Sequence, residues 1–139
     1  EEVRCRIDRA ININEVCDVN PFGIIATIAA YNDSGQWLDA LRKYLWENYE
    51  YLCHFFEEHL PQYSVLPLEG TYLVWIDCRA SGIGSDAITL RLQKEQKLLV
   101  NSGTMYGPGG EGFIRLNIAC PRILLADGLE RILKYIRSI

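Results

Sequence analysis

The chain is poor in the residues that do chemistry. It holds two histidines, His54 and His59, and one methionine. The histidines stand five positions apart, so on a helix they point to different faces and make no metal pair. Cysteines stand at 5, 17, 53, 78 and 120, with no C-x-x-C spacing. The odd count supports neither a disulfide framework nor a zinc site. Most of them have apolar or aromatic neighbours, which suits free buried thiols, and a reducing, cytoplasmic compartment is expected. Basic residues are outnumbered 14 to 18 and form no patch, which argues against nucleic acid as a partner. No apolar run approaches the roughly 20 residues of a membrane span. No signal peptide opens the chain. There is no initiator Met either: the first residues are Glu1-Glu2-Val3, and a piece of something longer is expected.

What is present is enough apolar material for a core. Of 139 residues, 49% are hydrophobic and 23% charged, and one domain is expected. Residues 2–13 place Val3, Ile7, Ala10 and Ile11 on one face, a short amphipathic helix. Asn12, Asn14, Asp18 and Asn20 break it into a loop. Asn20-Pro21 restarts a helix, with Asn20 as cap and Pro21 at the first position. The run Phe22–Tyr31 is apolar nearly all round, so a helix there must be covered on all sides. Two readings stand open: a central core helix, or a helix that packs against a domain or subunit outside this chain.

Asn32-Asp33-Ser34-Gly35 is a turn, and from about Ser34 to Leu60 runs the longest element. Leu38, Leu41, Leu45, Asn48, Leu52, Phe55 and His59 alternate steps of three and four, a heptad-like stripe. A helix of that length is about 40 Å long, suited to bridging two bodies, and Pro61 ends it. The period then changes. Tyr63–Leu68 and Thr71–Cys78 read as strands joined by the Glu69-Gly70 turn, a hairpin. A helix capped at Ser85 follows over 86–97, with Ile88, Leu92 and Leu90 inward. Leu98–Asn101 is a short strand. Ser102–Gly112 is a glycine-rich loop, and Gly112–Arg122 holds a further strand that reads as buried. A last helix over 123–137 turns Leu125, Leu129, Ile132, Leu133 and Ile136 inward. The fold class is α+β: a small antiparallel or mixed sheet with helices on one side, preceded by a long interdomain helix.

No Ser/His/Asp set and no carboxylate pair stands out, so the chain lacks a catalytic group of its own. The loop Gly107-Pro-Gly-Gly-Glu-Gly112 fails as a phosphate cradle, since a strand follows it and no Lys-Ser/Thr is present. Its natural reading is a flexible loop at the edge of a site. One residue breaks its surroundings. Arg115 sits among Phe113, Ile114, Leu116 and Ile118, and a guanidinium buried without a partner is costly. Either Arg115 pairs with a carboxylate of the protein, or it lines a site that receives one from outside, the recognition for which Arg is suited.

Four stretches carry a resemblance: Asn20-Pro-Phe-Gly-Ile-Ile-Ala-Thr-Ile-Ala-Ala-Tyr31, Glu69-Gly-Thr-Tyr-Leu-Val-Trp-Ile-Asp77, Asn101-Ser-Gly-Thr-Met-Tyr-Gly107 and Phe113-Ile-Arg-Leu-Asn-Ile-Ala-Cys-Pro-Arg122. Together, in order, they resemble the C-terminal part of fold type I pyridoxal-phosphate enzymes, most closely the cystathionine β-lyase branch of the class I/II aminotransferase superfamily. The resemblance implies a carbon–sulfur β-lyase acting on amino acids, with an aminotransferase of the same fold as the alternative. A regulatory or interaction module with Arg115 in an internal ion pair is a further one. It implies that Arg115 binds the substrate α-carboxylate, with Tyr72 and Tyr106 facing or approaching the same pocket. It implies that residues 1–33 are a remnant of the large cofactor-binding domain and 34–139 the small domain with its linking helix, in a homodimer. The family's Schiff-base lysine lies upstream. Lys43, Lys94, Lys97 and Lys134 match no such position, so the resemblance implies pyridoxal phosphate for the whole protein, no catalytic or cofactor-binding residue here, and no metal.

Overall fold

In the computed structural model, residues 1–13 and 20–139 are described. The expected loop through Asn14 and Asp18, and Cys17 within it, lie outside the described residues. The chain divides into two compact units, Glu1–Ala40 and Leu41–Ile139.

The first unit is helical. Helix α1 spans Glu2–Asn12 and α2 spans Pro21–Asp33. The start of α2 follows its sequence signals: the Phe22 N–H donates to the Asn20 side-chain oxygen at 2.9 Å, and Pro21 occupies the first position. None of its residues is buried; Phe22 is 79% and Tyr31 87% exposed. Among the described residues nothing covers its apolar surface, which does not agree with the core-helix reading of this segment.

Helix α3 covers Gly35–His59. Its stripe buries progressively. Leu38 is exposed, Leu41 and Leu45 are half-buried, and Asn48, Leu52, Phe55 and Phe56 are buried. In the second unit, the C-terminal part of α3 joins β1 (Ser64–Val65), β2 (Leu73–Asp77), α4 (Ser85–Gln96), β3 (Asn101–Ser102), β4 (Phe113–Asn117) and α5 (Arg122–Ile136). The sheet order is β1-β2-β4-β3 and every pairing is antiparallel, so no mixed pairing occurs. In the long middle pair Trp75 opposes Arg115 and Val74 opposes Leu116.

Side chains alternate across the sheet. Val74, Ile76, Ile114, Leu116 and Ile118 are buried against α3, α4 and α5, in a core that also holds Leu52, Phe55, Ile88, Leu92, Leu129 and Tyr135. Their alternates, Leu73, Trp75, Asp77, Phe113 and Arg115, are only half-buried. The strand of Arg115 is thus covered on one face, not two, and Arg115 stands on the face away from the helices.

Several local expectations shift for physical reasons. The first strand is only two residues long; Pro67 cannot donate to a ladder. Leu90 is exposed, because it lies two residues from both Ile88 and Leu92 and so on the opposite side of α4. Only Cys78 among the described cysteines is buried; Cys5 is exposed, and Cys53 and Cys120 are half-buried. Ser85 does not cap α4 but is its first residue. Its N–H donates to a Glu111 carboxylate oxygen at 2.9 Å, so the cap comes from the glycine-rich loop.

Candidate functional site

The outer face of the sheet builds the site. Register places three side chains in one row: Trp75 on β2, Arg115 on β4 and Asn101 on β3. Tyr106 closes over this row from the turn Gly103–Tyr106. The Arg115 guanidinium carbon lies 4.2 Å from the centre of the Tyr106 ring, a cation–π contact. The Asn101 amide donates to the Tyr106 hydroxyl at 2.9 Å. Trp75 meets the same ring edge-on, with centroids 5.3 Å apart and planes at 81°.

Arg115 makes no ion pair and no side-chain hydrogen bond among the described residues. The internal pairing left open by the sequence is therefore absent there. A half-buried guanidinium with no anion or hydrogen-bond acceptor on it among the described residues can receive a carboxylate in bidentate fashion. Beside it, Leu66, Trp75, Phe113, Tyr106 and Gly107–Gly110 line an open apolar cleft of about 370 Å³. Asp77 stands at one end of the face, opposite Phe113, and is occupied by Arg79. Arg79 Nη2 approaches its carboxylate to 2.6 Å, and the hydrogen bond from Arg79 holds the Asp77 carboxyl below the usual range.

The glycine-rich loop is a built part rather than a free one. It makes two short 3-10 turns, Gly103–Tyr106 and Pro108–Gly110. Gly103 and Gly110 pack backbone to backbone, so a Cβ on either would collide with the other's carbonyl. Gly112 has φ +83° and would strike the Arg79 side chain if it carried a Cβ. The buried Ser85 hydroxyl accepts from the Gly112 N–H at 2.6 Å. Thr104 donates to Asp86 at 2.6 Å, and hydrogen bonds from Ser102 and Thr104 hold that carboxyl low. Loop, β3 and the start of α4 thus form one connected block.

A second group fixes the strand from behind. Asn48 of α3 is wholly buried. Its amide donates to the carbonyls of Ile118 and Cys120 at 2.8 and 3.0 Å, and its oxygen accepts from Arg122 Nε at 2.6 Å. The Arg122 N–H donates to the Tyr44 hydroxyl at 2.8 Å, and the guanidinium lies over the Tyr51 ring.

Of the residues singled out in the sequence, Arg115 and Tyr106 are in contact. Tyr72 lies just before β2, 44% exposed, and joins neither of them by a hydrogen bond or ring contact. Asn101, Trp75 and Asn48 were not assigned roles from the sequence. For Asn48 a signal existed, a polar residue in an apolar stripe. For the other two the signal needs strand register, which composition does not give.

Pyridoxal phosphate does not fit the residues of this chain taken alone. Lys43, Lys94, Lys97 and Lys134 are all exposed, and Lys97 Nζ donates to the Lys94 carbonyl at 2.9 Å. A reactive lysine needs a desolvated setting, which none of the four has.

No family model matches the chain. The architecture is that of the C-terminal portion of fold type I pyridoxal-phosphate enzymes. Cystalysin from Treponema denticola, solved with its pyridoxal 5'-phosphate cofactor, matches with a TM-score of 0.92 at 29% identity, over 99% of this chain and 35% of that one. Within that class the chain corresponds to the C-terminal part of the PatB- and MalY-like cystathionine β-lyases. It is 36% identical over 129 residues to cystathionine β-lyase PatB of Bacillus subtilis (strain 168), covering 93% of this chain and 33% of PatB. It is 36% identical over 116 residues to protein MalY of Escherichia coli (strain K12), covering 84% and 30% respectively. The chain therefore spans about a third of the length of these relatives.

Proposed function

We propose that this chain is the carboxylate-receiving part of a pyridoxal-phosphate-dependent carbon–sulfur β-lyase of the cystathionine β-lyase type, acting on amino acids. The observation that carries the reading is Arg115: a guanidinium held over Tyr106, with no anion of the described chain on it. The likeness to PatB adds the chemistry, since a β-lyase substrate is an amino acid and brings a carboxylate. The cofactor belongs to a part of the protein outside this chain. When bound it supplies an electron sink for the substrate carbanion. The contribution of these residues is to bind and orient. Arg115 fixes the α-carboxylate by two parallel N–H bonds, which sets the direction of the remaining bonds at Cα. The apolar cleft beside Tyr106 borders that position. Tyr72, which the resemblance places near the substrate, is assigned to a wider rim and does not line this cleft.

On this reading residues 1–33 are the end of the large cofactor-binding domain and 34–139 are the small domain with its linking helix. The exposed apolar side chains of α2 support this division, because they require a cover. The large domain and the second subunit of a homodimer are the proposed partners. No helix among the described residues is long and apolar enough to cross a membrane. The free described thiols support a reducing compartment, the cytoplasm.

The test uses the whole protein that contains this chain. Incubated with an S-substituted cysteine, it should release thiol together with pyruvate and ammonia; exchange between amino acid and keto acid without thiol release would assign an aminotransferase instead. Arg115→Lys replaces a fork by a point charge and should raise KM for amino acids about 10- to 100-fold. Unchanged kinetics would remove the carboxylate role.

A further inference from the structure

We propose that Asn101 and Tyr106 are positioning residues for Arg115, holding the guanidinium against the Tyr106 ring so that its unused N–H donors are placed for a carboxylate. The inference rests on the carboxylate role of Arg115 proposed above. Arg115 has two neighbours in its sheet row, Trp75 and Asn101, directly across from it on either side. Neither bonds to the guanidinium. Both hold Tyr106 instead: Asn101 by a 2.9 Å hydrogen bond to the hydroxyl, Trp75 by an edge-on ring contact. Tyr106 in turn carries the guanidinium on its ring. The restraint therefore runs from the sheet, through Asn101 and Trp75, to Tyr106 and then to Arg115.

An arginine side chain is long, and freezing it on ligand binding costs rotamer entropy. An arginine already held has less to lose. The contact with the Tyr106 ring restrains the guanidinium while no acceptor among the described residues takes up its donors, whereas an ion pair or hydrogen bond would have consumed them. The hydroxyl explains why the residue is a tyrosine. A phenylalanine would keep the ring but lose the Asn101 tether. The backbone turn that carries Tyr106 is itself fixed through Thr104 and Asp86.

Three variants test this in the whole protein: Asn101→Ala, Tyr106→Phe and Tyr106→Leu. The first two should each raise KM for an amino-acid substrate about 3- to 10-fold, and the third about 10- to 30-fold, with kcat within about twofold of the parent. The double variant N101A/Y106F should be no worse than the poorer single one, because both break the same bond. Inhibition by an amine analogue without the carboxylate should be unchanged in Asn101→Ala; a general structural defect would weaken it too. A second readout uses the whole protein without substrate. By 15N relaxation the Arg115 Nε–H group should be ordered in the parent chain and mobile in N101A and Y106L. Equal mobility in all three, or an unchanged KM in N101A and Y106L while Arg115→Ala raises it, would overturn the positioning role. If Arg115→Ala itself leaves KM unchanged, the carboxylate reading fails, and the relaxation data still decide whether Asn101 and Tyr106 hold the side chain.

Discussion

Arg115 and Cys78 illustrate how one residue's surroundings set its chemistry. The guanidinium stands on the half-buried face, where a cation–π contact is worth about 0.5–2 kcal/mol, enough to bias its rotamer but not to satisfy its donors. Cys78, immediately after β2, is buried under the core face. Burial pushes its thiol up to about 12, from an ordinary value near 9. Between about pH 9 and 12 the unfolded chain loses this proton while the folded chain keeps it. The unfolded state then binds fewer protons, so stability falls as pH rises through that window. Urea titrations at pH 8.5 and 10.5 should give a lower midpoint at the higher pH, and Cys78→Ser should flatten the difference, even though it lowers stability at both. Iodoacetamide at pH 8 should label the exposed Cys5 quickly and Cys78 only after denaturation. Prompt native labelling of Cys78 would contradict its burial.

At the scale of elements, the decisive contact is between α3 and the end of β4. One asparagine in an apolar stripe looks like a packing fault in sequence. In the fold it serves two carbonyls and a guanidinium that no ladder partner reaches. Asn48→Ala leaves these buried groups unmet and opens a small void. It should destabilise the chain by about 2–4 kcal/mol in chemical denaturation; a loss under about 1 kcal/mol would mean that water replaces the amide. The same logic governs the glycine-rich loop. Gly103 and Gly110 are required because two backbones touch there, and Glu111 is required because it caps α4 across the loop. Gly103→Ala should therefore lower stability and move Tyr106 together, seen as a changed Trp75 fluorescence spectrum, since the turn it opens carries that ring.

The whole molecule leaves apolar surface uncovered. Phe22, Ile25 and Ile28 on α2 are each more than half exposed, and so are Trp37 and Trp46 on α3. Patches of this kind rarely remain in water. The isolated chain should self-associate, with a sedimentation coefficient that rises with concentration, and Phe22→Glu with Ile25→Glu should reduce that association while leaving the helical circular dichroism in place. A monomer at all concentrations would count against α2 as a contact surface.

The sequence by itself determined much of the element order. Periodicity changes from helical to alternating at Pro61, Asn20-Pro21 writes the start of α2, and the stripes of α4 and α5 select Ile88, Leu92, Leu125, Leu129 and Leu133 for the core. These are local facts, set by spacing along one segment. The charge of Arg115 among apolar neighbours was legible too, and it pointed to the candidate site. Tertiary structure decided what a local pattern cannot hold. Strand register put Trp75 and Asn101 beside Arg115, from positions 40 and 14 residues away along the sequence, and Tyr106 lies over them.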